Sequence, residues 1–537
     1  MSKKTLKTVL SMCLILALVA SLSVAAFAEG TTTKDTLYLI TNSDHGNVNP
    51  AESIGDNAAM LMSMCTNYLL DYYRNGDAAE YGICDKGLAT EYVLDDDNLG
   101  ITFKLREGVK FQNGNDFTAK DVPFSFSFFK DSSDMAFVDF ENIEVVDDYT
   151  VYIPFTKLYS GALSKLGIVP MWSSEYFEEV GGDTAIFFHD APIGTGAYQI
   201  VEYIRDDHVN LVAFPDYYEG APVISKINVR FISEPSVAFS ELETGGADYL
   251  YKISGTDITT LQSGLYDGQI ELYTQMQSDA MNLGFNGYSP LWKDVRVREA
   301  FCYAIDRSSC VLVMDGQAVD MWWVLANDSG RMNKYEGDDW FYPYNPDKAV
   351  ELLTEAGYAD NDGDGIVENA EGEPLIIRWL YLGSNQTYAT IGEVLKNNLA
   401  QVGIGMELKP YDRASYDSAM RNDVYDWDMM EMNMEGPTTA KGWDITPNIY
   451  LQTYIHADQF DTWADYQEKW IEPLNGELDT AKFWDMFSDY QDVVLTSDYL
   501  YFYPLLNRID GSAYSSSLHG LERISAHTWY VADAYFD

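Results

Sequence analysis

The sequence predicts a protein of several domains in the α/β or α+β class. The chain has 537 residues, too many for one hydrophobic core at ~150 residues per domain, so roughly three domains are expected. Segments with the two-residue period of strands alternate along the chain with segments that have the helical period. This alternation favours mixed sheets covered by helices.

The first half of the chain gives a clear strand pattern at residues 101–105, where apolar and polar side chains alternate. Turn sequences at 107–108 and 113–114 enclose a second predicted strand over 109–111. The other elements that periodicity predicts in this half are strands at 36–41, 200–203, 209–213 and 222–232 and helices at 58–70 and 235–242.

A helix is predicted after residue 118. Thr118 and Asp121 have the spacing of a capping box. Pro123 has no N–H, which indicates a late start or a kink in this helix. In the second half of the chain we expect helices at 295–305, 347–356 and 391–402 and strands at 283–286, 375–382 and 404–408.

The charge balance weighs against several classes of partner. The chain has 84 acidic and 34 basic side chains, a net charge of −50. Such a chain repels phosphate backbones, so no nucleic-acid partner is expected, and anionic membrane surfaces are poor partners for the same reason. Solubility explains the charge, and a bound cation or a cationic solute is the alternative explanation.

The first 28 residues have the pattern of a secretory signal. Lys3, Lys4 and Lys7 precede an apolar run at 9–20, and a small-x-small site at 26–28 follows it, so cleavage after Ala28 is expected. The alternative is an uncleaved membrane anchor, but the run is short for a ~20-residue span. We therefore expect an exported protein, periplasmic or extracellular.

Cysteine usage indicates neither a lipid anchor nor a zinc site. Cys13 lies well upstream of the cleavage site, where no lipid-modified cysteine would stand. Cys302 and Cys310 are eight residues apart in a helical pattern, ~12 Å along the axis, too far for a disulfide unless the helix breaks. Buried free thiols are expected for the four remaining cysteines, which are Cys65, Cys84, Cys302 and Cys310.

Motifs of common enzymes are absent from the sequence. It has no G-x-S-x-G, no H-E-x-x-H and no Walker A pattern, and its six histidines lack partners at ligand spacing. The Gly-rich segment 191–198 fits neither a P-loop nor a dinucleotide fingerprint, so we interpret it as a structural turn. We expect no enzyme and no required cofactor.

Five segments, in order, resemble the family-5 extracellular solute-binding proteins of ABC importers, which include oligopeptide-, dipeptide- and nickel-binding proteins. The resemblance covers residues from about 85 to 410. The segments are GLATEY with ITFKLREGVKFQNGNDFTAKDV (87–122), APIGTGAYQIVEY (191–203), PDYYEGAPVISKINVRFI (215–232), NLGFN with KDVRVREAFCYAIDR (282–307) and YNPDKAVELLTEAGYADNDGDGI (344–366).

The resemblance implies a two-lobed fold of the periplasmic-binding-protein type II class, with an extra subdomain in the first lobe. The two lobes would close on a solute by a hinge motion, and the solute would pass to a membrane permease. The implied divisions are a signal peptide (1–28), first-lobe parts (29–75, 191–285 and 511–537), an extra subdomain (76–190) and a second lobe (286–510).

Four residues are candidates for contact with the solute. In peptide-binding relatives an acidic residue of the second lobe pairs with the peptide amino terminus, and the resemblance places Asp444, beside Trp443, at that position, although Ile445 replaces the usual tyrosine. Trp322 and Trp323 follow the segment ending at Arg307 and offer aromatic platforms. We expect an oligopeptide and a monomeric protein. The alternatives are an oligosaccharide-binding protein of the same family and, ranked below it, a secreted hydrolase.

Residues 360–371 match the spacing of a 12-residue calcium loop. Gly365 stands at the position that needs a sharp turn. Pro374 leads into a strand, so the second helix of an EF-hand is missing, and an Asx-rich turn is the alternative. The predicted ligands of a structural calcium ion are Asp360, Asp362, Asp364, the carbonyl of Ile366, Glu368 and Glu371.

Overall fold

The computed structural model describes residues 34–46, 49, 56–75, 78–132, 135–188, 192–321, 340–421, 426–435, 455–523 and 529–537. Within these ranges, every helix is too short or too polar to cross a membrane.

The helices are short and lie between strands along the whole chain. Their bounds are α1 (Asp56–Cys65), α2 (Asp121–Ser127), α3 (Ala162–Gly167), α4 (Ser174–Glu179), α5 (Thr184–Phe187), α6 (Pro235–Glu243), α7 (Gly255–Gln262), α8 (Val295–Ala304), α9 (Arg307–Leu312), α10 (Pro346–Glu355), α11 (Gln386–Ala400), α12 (Arg413–Arg421), α13 (Trp463–Tyr466), α14 (Glu472–Gly476) and α15 (Thr480–Val494). A π-helix spans Gln467–Ile471, and 3₁₀ turns span Phe140–Asn142, Pro290–Trp292, Ala457–Gln459 and Ser497–Tyr499.

The strands range from two to 16 residues. Their bounds are β1 (Thr36–Thr41), β2 (Asp71–Asn75), β3 (Ala78–Gly82), β4 (Ala89–Leu94), β5 (Gly100–Leu105), β6 (Glu144–Asp147), β7 (Thr150–Pro154), β8 (Tyr198–Ile204), β9 (His208–Ala213), β10 (Lys226–Phe231), β11 (Tyr249–Tyr251), β12 (Ile270–Phe285), β13 (Ala318–Asp320), β14 (Ile376–Leu382), β15 (Gly405–Tyr411), β16 (Met429–Glu435), β17 (Phe502–Ser515), β18 (Leu518–His519), β19 (Glu522–Arg523), β20 (Trp529–Tyr530) and β21 (Tyr535–Phe536).

One 11-stranded sheet runs through the molecule in the order β15-β14-β16-β12-β17-β11-β1-β10-β9-β8, with β13 paired to β17. The long antiparallel strands β12 and β17 join its two ends, and their register shifts between Met276 and Ala280. We call the part with β1, β8–β11 and residues 270–276 of β12 the first lobe. The part with β14–β16 and residues 280–285 of β12 is the second lobe.

Each lobe has its own core because strand side chains alternate between the sheet faces. In the first lobe, Leu37 and Leu39 of β1 point into one apolar cluster, and Ile40 points into another on the opposite face. A single large cluster fills the second lobe, where β14, α8 and α11 pack together around Trp379 and Phe301.

The extra subdomain is built on a separate four-stranded antiparallel sheet, β4-β5-β7-β6. Gln112 links it to the first lobe. Its Nε2 donates to the carbonyls of Cys65, Gly196 and Tyr198 at 3.0, 3.1 and 2.7 Å, and its Oε1 accepts from the N–H of Gly194 at 3.1 Å. The Gly-rich segment is therefore a structural turn, since a Cβ at Gly194 would lie 2.2 Å from the Cys65 carbonyl oxygen.

Most predicted elements are confirmed within a few residues, with four differences. The helix predicted at 58–70 ends at Cys65. Residues 109–111 form no strand, only a bridge between Lys110 and Asp116, because the turn that follows is too tight for a ladder. The helix after Thr118 starts at Asp121, which explains how Pro123 fits into its first turn. The strand predicted at 283–286 is the end of the much longer β12.

The helix that would separate Cys302 from Cys310 breaks between Ala304 and Arg307. All four cysteines in the described ranges are nevertheless free, as predicted, and three of them are buried. The predicted domain boundaries stay predictions.

Candidate functional site

Two sets of strand ends face each other where β12 and β17 cross between the lobes. In the first lobe β1 runs parallel to β10 and β11, and β11 ends at Tyr251, which pairs with Ser512 of β17. In the second lobe β14 runs parallel to β15 and β16, and β16 ends at Glu435, which pairs with Asp279 of β12. Both sets of carboxyl ends therefore point at the crossing, and such crevices are where α/β sheets bind ligands.

The first lobe contributes the loop after β1 to this crevice. His45 is buried, and its ring lies 4.4 Å from that of Tyr203. Asp44 accepts from the Tyr203 hydroxyl at 2.8 Å and from the Asp206 N–H at 2.7 Å. Burial lowers the pKa of His45, although Asp44 opposes this shift. At neutral pH the histidine is therefore mostly uncharged and serves to anchor the loop.

A small cavity of about 30 Å³ lies at the ends of β1 and β11. Thr41, Asn42 and Lys252 are among the residues that line it. Lys252 has a left-handed backbone, with φ of 60°. This conformation costs free energy in residues other than glycine, and residues that adopt it are concentrated at functional sites. The cavity has room for about two water molecules.

A buried ion pair ties the C-terminal segment to the crossing. Arg523 Nη2 lies 3.1 Å from Asp510 Oδ2, and Gln277 of β12 also donates to this carboxylate. The Arg523 guanidinium lies over the ring of Tyr251 at 4.8 Å. These contacts connect β11, β12 and β17 at the level where the lobes separate.

The second lobe holds a buried carboxylate at the base of β16. Asp428 is 1% exposed. It accepts from Arg378 Nε at 2.7 Å, Arg378 Nη2 at 2.8 Å and Ser289 Oγ at 2.7 Å. These bonds connect β14 to the turn after β12, so Asp428 has a structural role.

A second buried acid, Glu431, lies further along β16 and is 3% exposed. Burial raises the pKa of Glu431 to about 8. Sequence reasoning missed this residue. The available signal was an acid between two methionines in a strand pattern, Met430-Glu431-Met432.

The predicted calcium loop joins α10 to β14, as expected for a loop between a helix and a strand. The carboxylates of Asp360, Asp362, Asp364 and Glu368 each place one oxygen within 4.8 Å of the others. Asp360 also accepts from the N–H groups of Gly363 and Gly365 at 2.7 and 3.2 Å, which are Asx-turn contacts. The structure thus contains both the cluster of carboxylates that a calcium loop requires and the hydrogen bonds of the Asx-rich turn that was the alternative.

Glu371 does not join this group of four carboxylates. Residues 369–373 form a tight turn of their own, in which the N–H groups of Glu371 and Glu373 donate to Asn369 Oδ1 at 3.1 and 2.9 Å. This turn explains why Glu371, one of the predicted ligands, is missing from the group.

The four predicted solute contacts, Trp322, Trp323, Trp443 and Asp444, lie outside the described residues. Their roles stay predictions.

Comparison with known proteins defines the class. The model of the bacterial extracellular solute-binding proteins, family 5, matches residues 85–445. The chain therefore belongs to this family, as the sequence motifs predicted.

Among curated relatives, the oligopeptide-binding protein AppA of Bacillus subtilis is 25% identical over 360 residues. This match covers 65% of this chain and 65% of AppA, just under two thirds of the length of that relative.

Two solved structures show the fold. AppA from Bacillus subtilis in complex with a nonapeptide has a TM-score of 0.70 at 20% identity, covering 94% of this chain and 99% of AppA. NikA from Brucella suis in complex with Fe(III)-EDTA has a TM-score of 0.79 at 20% identity, covering 94% of this chain and 100% of NikA. The predicted two-lobed periplasmic-binding-protein fold is confirmed.

Proposed function

We propose that the protein captures a solute between its two lobes and delivers it to the permease of an ABC importer. The observation that carries the proposal is the pair of strand-end sets that face each other across β12 and β17. Two connecting strands permit a hinge motion, and a solute that contacts both lobes favours the closed form. The proposal assigns the protein no catalytic step.

The solute that we propose is an oligopeptide. AppA, which is named an oligopeptide-binding protein and has been solved with a nonapeptide, supports this choice. NikA was solved with Fe(III)-EDTA, so the same fold accepts chemically different ligands. The screen that tests the proposal therefore contains peptides of two to nine residues, oligosaccharides and metal chelates.

The test combines thermal denaturation with small-angle scattering. A solute that binds only the folded protein raises the melting temperature, and closure of the lobes lowers the radius of gyration. We expect both changes with peptides. A tight ligand that leaves the radius of gyration unchanged contradicts capture by closure, and stabilisation only by oligosaccharides or chelates contradicts the peptide assignment.

Asp444 is the residue that we propose for the amino terminus of the peptide, with Trp443, Trp322 and Trp323 as aromatic contacts. A carboxylate that faces an ammonium group makes a charge-assisted bond. Asp444→Asn should weaken peptide binding by ~1–3 kcal/mol, measured by calorimetry, while an N-acetylated peptide should lose little. Equal losses for both peptides would remove Asp444 from this role.

We also propose that Asp360, Asp362, Asp364, Glu368 and the carbonyl of Ile366 hold a structural calcium ion. The close approach of four carboxylates supports this, because their mutual repulsion falls when a cation binds. Since extracellular calcium modules bind at ~10⁻⁴–10⁻³ M, melting is measured with millimolar calcium or with chelator. We expect calcium to stabilise the wild type but not Asp362→Ala, and an indifferent wild type would contradict the site.

The proposed location follows from the signal sequence. We infer export through residues 1–28, cleavage after Ala28 and release as a monomer without a lipid anchor. Mass spectrometry of the secreted protein should find Glu29 as its first residue, and a lipid-modified cysteine would contradict this inference.

A further inference from the structure

The carboxyl group of Glu431 is buried in the second lobe with one oxygen unused. Its Oε1 accepts from the hydroxyl of Tyr416 on α12 at 3.0 Å. Its Oε2 is fully buried and has no hydrogen-bond partner. An unpaired buried oxygen of this kind costs free energy, so its presence needs a reason.

A second unused acceptor lies two residues along the same strand. The Nδ2 of Asn433 donates to the hydroxyl of Tyr388 on α11 at 2.7 Å, and its Oδ1 is buried without a partner. Side chains two residues apart on a strand lie on the same face. When Glu431 is ionised, it and Asn433 therefore present two unfilled acceptors, with Tyr416 and Tyr388 beside them.

The position of the two acceptors along β16 places them near the crevice between the lobes. β14 runs parallel to β16 with Leu380 level with Met430, so Glu431 lies beside Tyr381, the last residue but one of β14. Asn433 lies beyond the end of β14, on the side toward which the carboxyl ends of both strands point. The acceptors are thus at the crevice end of the second lobe.

The surrounding groups supply no compensating cation. Tyr381 faces Glu431 from β14, Tyr388 from α11 and Tyr416 from α12, whereas the exposed Glu393 of α11 acts on Tyr381. The basic group that acts on Tyr416 is Arg413, whose Nε lies 3.1 Å from Asp417 and whose side chain is 73% exposed. Among the described residues, the groups that act on the Glu431 carboxyl are therefore tyrosines and the backbone N–H groups of Leu382 and Glu431 itself, and none is a lysine or arginine.

We propose that Glu431 and Asn433 form a subsite for a protonated amino group of the solute, separate from the contact predicted at Asp444. This inference rests on the proposed function, because the solute reaches the subsite from the crevice between the lobes. An ammonium group brings three N–H donors and a positive charge. Such a group supplies donors for the acceptors of Glu431 and Asn433, and its charge offsets the cost of ionising a buried carboxyl group.

The pH dependence of ammonium binding distinguishes this subsite from a purely structural role for Glu431. With a pKa of about 8, Glu431 is ionised to about 3% at pH 6.5 and about 76% at pH 8.5. Because an ammonium ion binds the ionised form, its affinity should rise about 25-fold across this range. A primary alkylamine used as the probe stays protonated at both pH values, since its pKa resembles that of lysine.

The probe is n-butylammonium chloride, added to the whole protein in amine-free buffer with sodium chloride as the matched salt. Apparent affinity is obtained from melting temperatures at pH 6.5 and 8.5. We expect stabilisation by butylammonium beyond that by sodium, rising with pH in the wild type and in Glu393→Gln, which alters an exposed carboxylate nearby. In Glu431→Gln the response should be weak and independent of pH.

Equal responses in wild type and Glu431→Gln, or equal effects of sodium and butylammonium, would overturn the proposal. Asn433→Leu keeps the carboxyl group and removes one acceptor, so it should weaken the response at least fivefold. It serves as the decisive variant if Glu431→Gln does not fold. The amine test uses no natural solute. A negative amine result therefore does not contradict solute capture, and a failed solute screen does not contradict a positive amine result.

Discussion

The pH dependence of folding provides a direct test of how Glu431 is buried. Its pKa is raised from the ordinary value of 4.5 to about 8, chiefly by burial. Between these values the folded protein holds a proton that the unfolded chain has released. The free energy of unfolding contributed by this group is therefore complete below about pH 4.5 and is lost as pH rises toward 8.

The magnitude follows from the size of the shift. At about 1.36 kcal/mol per pKa unit, the loss across the window approaches about 5 kcal/mol. Glu431→Gln has nearly the same shape and no proton to lose. The variant should therefore gain stability relative to the wild type between pH 5 and pH 8.5, by an amount of this order.

The assay is urea denaturation followed by circular dichroism at pH 5, 6.5 and 8.5, in buffers without amines. Comparison with the variant cancels the titration of all other groups. Glu393→Gln, which alters an exposed side chain of α11, should follow the wild-type profile. If the profiles of wild type and Glu431→Gln are parallel within about 1 kcal/mol, the carboxyl group is not buried as described.

Three further substitutions test the packing around the site, each by thermal or urea denaturation. Asp428→Ala should cost about 3–5 kcal/mol because it leaves Arg378 without its buried partner. Asp417→Ala removes a half-buried carboxylate whose partner, Arg413, is exposed, so it should cost less than about 1 kcal/mol. Similar losses in the two variants would contradict this assignment. Gln112→Leu should cost about 3 kcal/mol, since it strands buried backbone groups of the Gly-rich segment, and a neutral effect would show that water replaces them. Gly194→Ala should cost about 1–3 kcal/mol through its clash with the Cys65 carbonyl, and an unchanged melting temperature would be inconsistent with the close approach.

Local patterns predicted the elements whose side chains meet one continuous core. The strand at 101–105 and the helix α10 are examples, because their buried positions repeat with the expected period. The first part of β12 was not predicted. It carries polar residues such as Gln275 and Gln277 where the strand crosses between the lobes and is only half-buried.

The site was less predictable than the fold because its burial comes from tertiary packing. Nothing in the segment around Glu431 shows that α11 and α12 cover it, and an acid is unremarkable in a chain with 84 of them. The calcium loop is the opposite case. Its carboxylates are close in sequence, so spacing alone brought four of the five predicted acids together.

The position of β17 in the sheet has a consequence for the order of folding. Residues 502–515 form the strand that lies between β12 and β11, so they connect the two lobes. Before this strand emerges, the chain has already produced every other strand of the large sheet. Those strands can pair only as two separate groups, β8–β10 with β1 and β11, and β14–β16 with β12, while β13 has to wait for β17.

Both lobes therefore lack a strand until β17 forms, because residues 502–507 pair with β12 in the second lobe and enter its core, and residues 512–515 pair with β11 and β12 in the first. The slow step should be the late insertion of β17, because it forms contacts across more than 200 residues of sequence. Until then the unpaired edges of β11 and β12 are exposed to other chains. One of the two strands about which we propose that the lobes close is therefore also the strand that completes the native sheet.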